Sequence, residues 1–317
     1  MTDLSIFFAG TAGSVPTARR GLPAVLLRRG GDRVLFDCGE GTQRQLLRSV
    51  GLADLDDVFV THFHADHWLG LPGLLKTFDL RDRDQPLTVF GPRGLQQVMG
   101  MLRPVFGRTR FPLRFTELEP GDTVERDGYV VAAFPVHHGG PSLGYAIVED
   151  ERPGRFDAAR AEALGVEPGP DFGRLQRGET IDGVAPEQVV GARRPGRKVV
   201  ITGDTAPCEA VRVAAHRADV LVHEATFTEE DVERAAQTRH STATQAARVA
   251  ADAEVRLLAL VHLSTRYFGP EVRDEARAVF PRTEVPRDFD AIEVPLPERG
   301  EPVLVPRGES RAQPAPA

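Results

Sequence analysis

Val58-Phe59-Val60-Thr61-His62-Phe63-His64-Ala65-Asp66-His67 decides how the rest of this chain is read. Three apolar residues predict a buried strand, and three histidines and an aspartate crowd the six positions after Thr61. If extended geometry persists through His64, then His62 and His64 point to one side. The turn beyond swings Asp66 and His67 towards a second position. Neutral imidazole and carboxylate suit zinc or manganese. Clustering four such groups behind an apolar strand is costly without a cation, because burying unpaired polar groups is unfavourable.

Two ions need more ligands than this loop supplies, and the further candidates also sit at strand ends. His137 and His138 close a strand at 129–135, Asp204 closes one at 198–202, and His262 closes one at 257–261. A lone histidine after a strand is more often structural. Here the pattern recurs, and strand ends at one sheet edge are where ligands converge.

The surrounding chain alternates strands and helices, which predicts sheets covered by helices. Strands are expected at 4–8, 24–27, 34–36, 87–90, 113–118, 143–148, 220–222 and 291–294. Helices are expected at 42–49, 71–78, 242–252 and 271–280. Between 149 and 197 the pattern breaks into Pro, Gly and charge, with one helical stretch at 158–164. A loop of this length is usually functional or disordered. The expected organisation is one domain over 1–305, an insert at 149–197 and a disordered tail at 306–317.

Composition narrows the function classes. The chain has 317 residues, a net charge of −7 and 41% hydrophobic residues, enough for a full core and against bulk charge-driven coating of nucleic acid. No uninterrupted apolar run is long enough to cross a membrane. Two cysteines, Cys38 and Cys208, cannot form a disulfide framework, so reduced thiols in the cytoplasm are expected. Lys76 and Lys198 are the only lysines, so nearly all positive charge is arginine.

Several runs beyond the histidine cluster carry a resemblance. Phe36-Asp37-Cys38-Gly39-Glu40-Gly41-Thr42-Gln43, Gly70-Leu71-Pro72-Gly73-Leu74, Gly203-Asp204-Thr205, His223-Glu224-Ala225-Thr226-Phe227, His240-Ser241-Thr242 and His262-Leu263-Ser264-Thr265-Arg266-Tyr267 follow in order. With His-x-His-x-Asp-His they resemble the ribonuclease Z family of the metallo-β-lactamase superfamily, over residues 4–295. The resemblance implies an α/β fold, an αββα sandwich with a protruding arm at the insert. It also implies a cytoplasmic homodimer that removes 3′ trailers from precursor tRNA and has no membrane association.

By the same resemblance, His62, His64 and His138 would hold one divalent ion, Asp66, His67 and His262 the other, and Asp204 would bridge them. Zinc and manganese both remain open. His138 is chosen over His137 because the family's ligand directly precedes a glycine, here Gly139. Two cations about 3.5–4 Å apart would activate a water and clamp phosphate oxygens. Asp66 would orient or deprotonate that water, and His240 would protonate the leaving 3′ oxygen. Glu224 would orient His240 or a ligand histidine. Arg266, beside His262, and Arg20 are the expected phosphate contacts. Arg152, Arg155, Arg160, Arg174 and Arg177 in the insert would grip the tRNA elbow. Pro16-Thr17-Ala18-Arg19-Arg20-Gly21 departs from the relatives' Pro-x-Lys-x-Arg-Asn loop at Ala18 and Gly21, which leaves the response to a 3′ CCA end open.

Two rival readings differ in kind. A same-fold phosphodiesterase on small or cyclic nucleotides shares the metal residues but needs neither arm nor His240. A non-catalytic, metal-stabilised module would close its zinc with four ligands, mainly Cys and His.

Overall fold

The computed structural model describes residues 3–52 and 54–308. Its strands are β1 (Leu4–Gly10), β2 (Ala24–Arg29), β3 (Asp32–Phe36), β4 (Asp57–Phe59), β5 (Leu87–Pro92), β6 (Leu113–Leu118), β7 (Thr123–Arg126), β8 (Tyr129–Pro135), β9 (Leu143–Glu149), β10 (Lys198–Ile201), β11 (Val220–Glu224), β12 (Leu258–Val261), β13 (Thr283–Glu284), β14 (Ala291–Glu293) and β15 (Val303–Val305). They form an eight-stranded sheet ordered β15-β14-β1-β2-β3-β4-β5-β6 and a seven-stranded sheet ordered β13-β12-β11-β10-β9-β8-β7. The helices are α1 (Thr42–Leu47), α2 (Ala65–Trp68), α3 (Leu71–Leu80), α4 (Leu95–Phe106), α5 (Ala158–Ala163), α6 (Pro170–Gln176), α7 (Glu209–Ala215), α8 (Val232–Thr238), α9 (Ala243–Asp252) and α10 (Gly269–Arg277).

Alternation along β1 shows how the layers arise. Leu4, Ile6 and Phe8 join a core shared with Tyr129, Val131, Tyr145, Val199 and Val222 of the other sheet. Phe7 and Ala9 turn the opposite way, into a second core with Leu46 of α1, Leu74 and Phe78 of α3 and Met99 of α4. The outer face of the seven-stranded sheet is covered by Val211 of α7, the alanines of α9 and Val272 of α10. The order is helices, sheet, sheet, helices, the αββα sandwich expected from the sequence. α9 starts where its sequence dictates: Thr242 Oγ1 accepts from Gln245 N, and the Gln245 side chain accepts from Thr242 N.

Strand direction puts the candidate residues on one edge. β3, β4 and β5 run parallel, as do β10, β11 and β12. β8 is antiparallel to β9, which is antiparallel to β10, so β8 runs with β10. Asp37, His62, His138, Asp204, Glu224 and His262 therefore stand at or just past the C-terminal ends of parallel-running strands, where ligands of α/β sheets gather.

The insert behaves differently from its sequence reading. It holds a second helix, α6, opened by Pro170 at its first position. Ala161, Val166, Leu175, Ile181, Val184 and Val189 bury one another in a small core of their own, with Phe156 and Phe172 against it. Arg152 and Arg194 form an antiparallel bridge where the two legs meet. Below this, Glu149 accepts from Arg197 and from Arg29 of the other sheet, at 2.7 and 2.8 Å. Arg197 and Glu149 are 5% and 6% exposed at the side chain, and breaking such a buried pair costs roughly 3–5 kcal/mol.

Other elements were not anticipated. α4 has Leu95, Met99 and Phe106 buried at helical spacing, but Gly100 and Pro104 mask the signal. β7, α7, α8, β13 and β15 are too short for periodicity to register. Of the tail expected to be disordered, residues 306–308 are described and residues 309–317 lie outside the described residues. No helix among the described residues is long and apolar enough to cross a membrane.

Candidate metal centre

The strand of this stretch ends at Phe59, earlier than expected, and the chain has no regular structure from Val60 to His64 before turning into α2. His64 is the N-cap of that helix with φ −66° and ψ 143°, and α2 carries Asp66 and His67. The expected common side for His62 and His64 holds: their ring centroids are 4.6 Å apart. The loop is braced from below by Phe36, Phe59 and Phe90, whose rings stack in series, and by Tyr145, which meets Phe59 edge-on and donates to Val60 O at 2.7 Å.

Ligand-type atoms converge in three overlapping groups. His62, His64, His138 and Asp204 form one, Asp66, His67 and His262 a second, and Asp204, His240 and His262 a third, each with its atoms within 4.8 Å of one another. Asp204 belongs to the first and third and lies close to the second. Its Oδ2 lies 3.3 Å from the Nε2 atoms of His67 and His262, 3.7 Å from His62 Nε2 and 3.8 Å from His138 Nε2. Asp66 Oδ2 is 3.2 Å from His262 Nε2 and accepts from Ser14 N.

The donor chemistry fits divalent cations. His62 Nε2, His67 Nε2 and Asp204 Oδ1 are buried without a hydrogen-bond partner among the described residues. Such orphans are rare and costly, typically 1–3 kcal/mol each. The opposite nitrogen of each ring is held. His62 Nδ1 meets Thr61 Oγ1 at 3.0 Å, His67 Nδ1 meets Asp37 Oδ2 at 2.7 Å, His138 Nδ1 meets Arg239 O at 2.9 Å and His262 Nδ1 meets Thr226 Oγ1 at 2.8 Å. An Nδ1–H bound in this way leaves Nε2 as the lone-pair donor facing inward. His64 is turned the other way, with Nδ1 inward, 3.1 Å from His138 Nε2.

Electrostatics follow the same convergence. Burial alone would push the Asp204 carboxyl up; the surrounding imidazoles, His262 and His67 foremost, hold it well below the usual range. Burial and then the neighbouring His67 push the His62 imidazole well down, favouring the neutral form that ligates. Burial also opposes ionised Asp66, but His262 and His67 hold its carboxyl low.

His240 stands beside the ligand set rather than in the β4 loop. Its Nδ1 is 2.7 Å from Glu224 Oε1, and its ring centroid is 4.8 Å from that of His138. Burial works against its charge, yet Glu224 and Asp204 carry its pKa up to about 9. Glu224 is fully engaged: it also accepts from Thr205 N, Thr226 N and Thr226 Oγ1.

Three residues given no role at the sequence level hold this centre in place. Asp37 accepts from Thr61 N and Oγ1 besides facing His67. Thr226 ties Glu224, His240 and His262 together. Arg239 supplies the carbonyl for His138. Asp37, Arg239 and His262 all have φ of 58°, a left-handed conformation that costs a non-glycine residue energy and clusters at functional sites. Gly13 makes room for the ring of His262, since a Cβ there would lie 2.6 Å from its Nδ1. No single-residue signal marks these positions; only Asp37 and Thr226 lie inside quoted runs.

The expected phosphate contacts are placed less simply. Arg20 is half-buried, with Nη1 donating to Thr11 Oγ1 and Pro286 O. Arg266 pairs with Asp231 at 2.8 Å. In the insert, Arg152 pairs with Glu298, and Arg174 with Asp171 and Glu179. Arg155 and Arg160 carry no ion pair among the described residues. His137 is exposed, donates its backbone N–H to Thr205 Oγ1, bridges to Ala206 and belongs to none of the three groups.

A sandwich with ligand loops at one edge is the arrangement of a known class, and residues 20–155 match the metallo-beta-lactamase superfamily. The chain is 48% identical to ribonuclease Z of Natronomonas pharaonis, covering 93% of this chain and 99% of that one. It is 44% identical to ribonuclease Z of Methanosarcina acetivorans, covering 92% and 98%. The crystal structure of human tRNase Z, short form, superposes with a TM-score of 0.69 at 27% identity, over 92% of this chain and 100% of that one. The Bacillus subtilis metallo-beta-lactamase fold protein YhfI, at 18% identity and a TM-score of 0.67, shares the fold. The chain belongs to the ribonuclease Z family.

Asp37 is the cleanest probe of the centre, because it touches His67 but is not placed as a ligand. Asp37→Ala is expected to weaken metal binding by about 10–100-fold, the usual effect of losing a carboxylate behind a ligand histidine. Competition against a chelator measures it.

Proposed function

We propose that this chain is an endoribonuclease that removes 3′ trailers from tRNA precursors by hydrolysis of one phosphodiester. Two divalent ions, zinc or manganese, would be held by His62, His64 and His138 and by Asp66, His67 and His262, with Asp204 between them. When bound, such ions lower the pKa of a water and neutralise charge on the phosphate oxygens. The observation that carries the reading is the His240–Glu224 pair beside seven ligand-type residues. A structural metal site has no use for a positioned, charged imidazole outside its ligands.

The chain's own residues divide the work. Asp66, kept ionised by its histidine neighbours, orients or deprotonates the attacking water. His240 Nδ1 is tied to Glu224, which leaves Nε2 to hand a proton to the leaving 3′ oxygen. Against the cost of burial, the Glu224 carboxylate hydrogen-bonded to His240 favours the protonated ring. General-acid catalysis of this kind contributes roughly 10²–10⁴ in rate. The relatives named ribonuclease Z support tRNA as substrate over a small phosphodiester, and so does the folded insert.

The insert is rooted at Glu149 and Arg197, beside the pairing of Val148 with Lys198, at the sheet edge opposite the metal centre. An arm so placed meets an RNA bound at the metal centre most readily when two copies share it, which supports the homodimer. Action on precursor tRNA would support a cytoplasmic location.

Wild-type protein should cleave a 3′-extended tRNA precursor, with product ends mapped at the acceptor stem. His240→Ala should lose about 10²–10⁴ in kcat while retaining its metals. Wild-type kcat in that variant would remove His240 from the mechanism.

Removal of the insert tests substrate class. A cut confined to 152–177 would leave Ile181, Val184 and Val189 without their core, so both legs must go. The Arg152–Arg194 bridge allows residues 153–193 to be replaced by Asn-Gly, a two-residue hairpin turn. Precursor cleavage should then fall far more than hydrolysis of a small phosphodiester, and the salt dependence of kcat/KM should become shallower. No fall for either substrate would favour the small-nucleotide phosphodiesterase.

A further inference from the structure

The two arginines picked out near the metal loops are already engaged: Arg20 by Thr11 and Pro286, Arg266 by Asp231. Arg239 is not. It caps the C-terminal end of α8 and is exposed at the lip of the metal centre. Its carbonyl accepts from His138 Nδ1 at 2.9 Å, its Nη1 reaches His138 O at 3.4 Å, and the next residue is His240. No carboxylate pairs with its guanidinium among the described residues.

The backbone makes the choice of residue informative. At φ 58° and ψ 45°, Arg239 sits where glycine or asparagine is the low-cost occupant. A carbonyl for His138 could come from either, so the carbonyl alone does not account for an arginine. The side chain's bond to His138 O, at 3.4 Å, is long and therefore weak. Most of its five N–H donors remain open, in a fork that matches two phosphate oxygens.

We propose that Arg239 grips a backbone phosphate of the RNA seated at the metal centre. This rests on the tRNA-processing reading above. The grip would hold the strand against His138 and His240, and so set which phosphodiester lies between the ions and the general acid.

Two variants separate charge from backbone. Arg239→Asn tolerates the left-handed conformation and keeps the carbonyl, but removes the charge. Arg239→Lys keeps the charge. The readouts are kcat/KM on a 3′-extended precursor across a salt series, metal content, and Tm. Arg239→Asn should lose about tenfold to a hundredfold, as expected for one charged hydrogen-bonding group. The slope of log kcat/KM against log salt should become shallower by about 0.7–1, one phosphate contact. Metal content and Tm should stay at wild-type values. Arg239→Lys should lose less and keep the wild-type slope.

Wild-type kcat/KM and slope in Arg239→Asn would overturn the inference. Equal losses in both variants with an unchanged slope would overturn it too, by pointing to packing rather than phosphate. Failure of the wild-type chain to cleave the precursor would overturn the tRNA reading itself, and this inference with it.

Discussion

Asp204 is the point on which the architecture converges. One buried carboxylate faces Nε2 atoms from His62, His67, His138 and His262, which arrive on loops from both sheets. Each imidazole has its outer nitrogen tied to a protein oxygen, so the inner nitrogens can only face one another and Asp204. A buried carboxylate ringed by converging imidazole nitrogens is unfavourable in a protein interior unless positive charge compensates it, from cations or from protons on rings such as His67. The sandwich makes the arrangement possible because its parallel-running strands end on one edge, with the rings of Phe36, Phe59, Phe90 and Tyr145 packed beneath.

Holding the cluster rigid has its own requirements. Three backbone positions at the centre, Asp37, Arg239 and His262, are left-handed without being glycine. Each is over-determined by hydrogen bonds: Asp37 by Thr61 and His67, Arg239 by His138, His262 by Thr226. Local strain is thus balanced by the network that fixes the ligand rings, which is where strained backbone is usually found.

The sequence made the sheets, the ligand loops and the opposing edges legible, because apolar strands ending in histidine or aspartate carry a strong local signal. Asp204 and His262 could be found this way from 140 residues or more beyond His62. The supporting partners could not. Asp37, Thr226 and the Arg239 carbonyl act through distances set by tertiary structure, and no spacing rule connects them to the rings they hold. The second helix and the small core of the insert escaped the sequence reading for a related reason. Its core is assembled from Phe156, Ala161, Phe172, Leu175, Ile181 and Val189, too scattered among Pro, Gly and charge to read as periodic. Exposed arginines were the least legible, since their value depends on which carboxylates lie nearby, and Arg174 and Arg266 are already paired.

We propose that the orphaned donors around Asp204 hold two ions. Elemental analysis of protein purified without chelator and supplied with excess divalent metal tests it most directly. Close to two ions per chain are expected, with Asp204→Ala losing at least one. A stoichiometry of zero or one in the wild-type chain would contradict it.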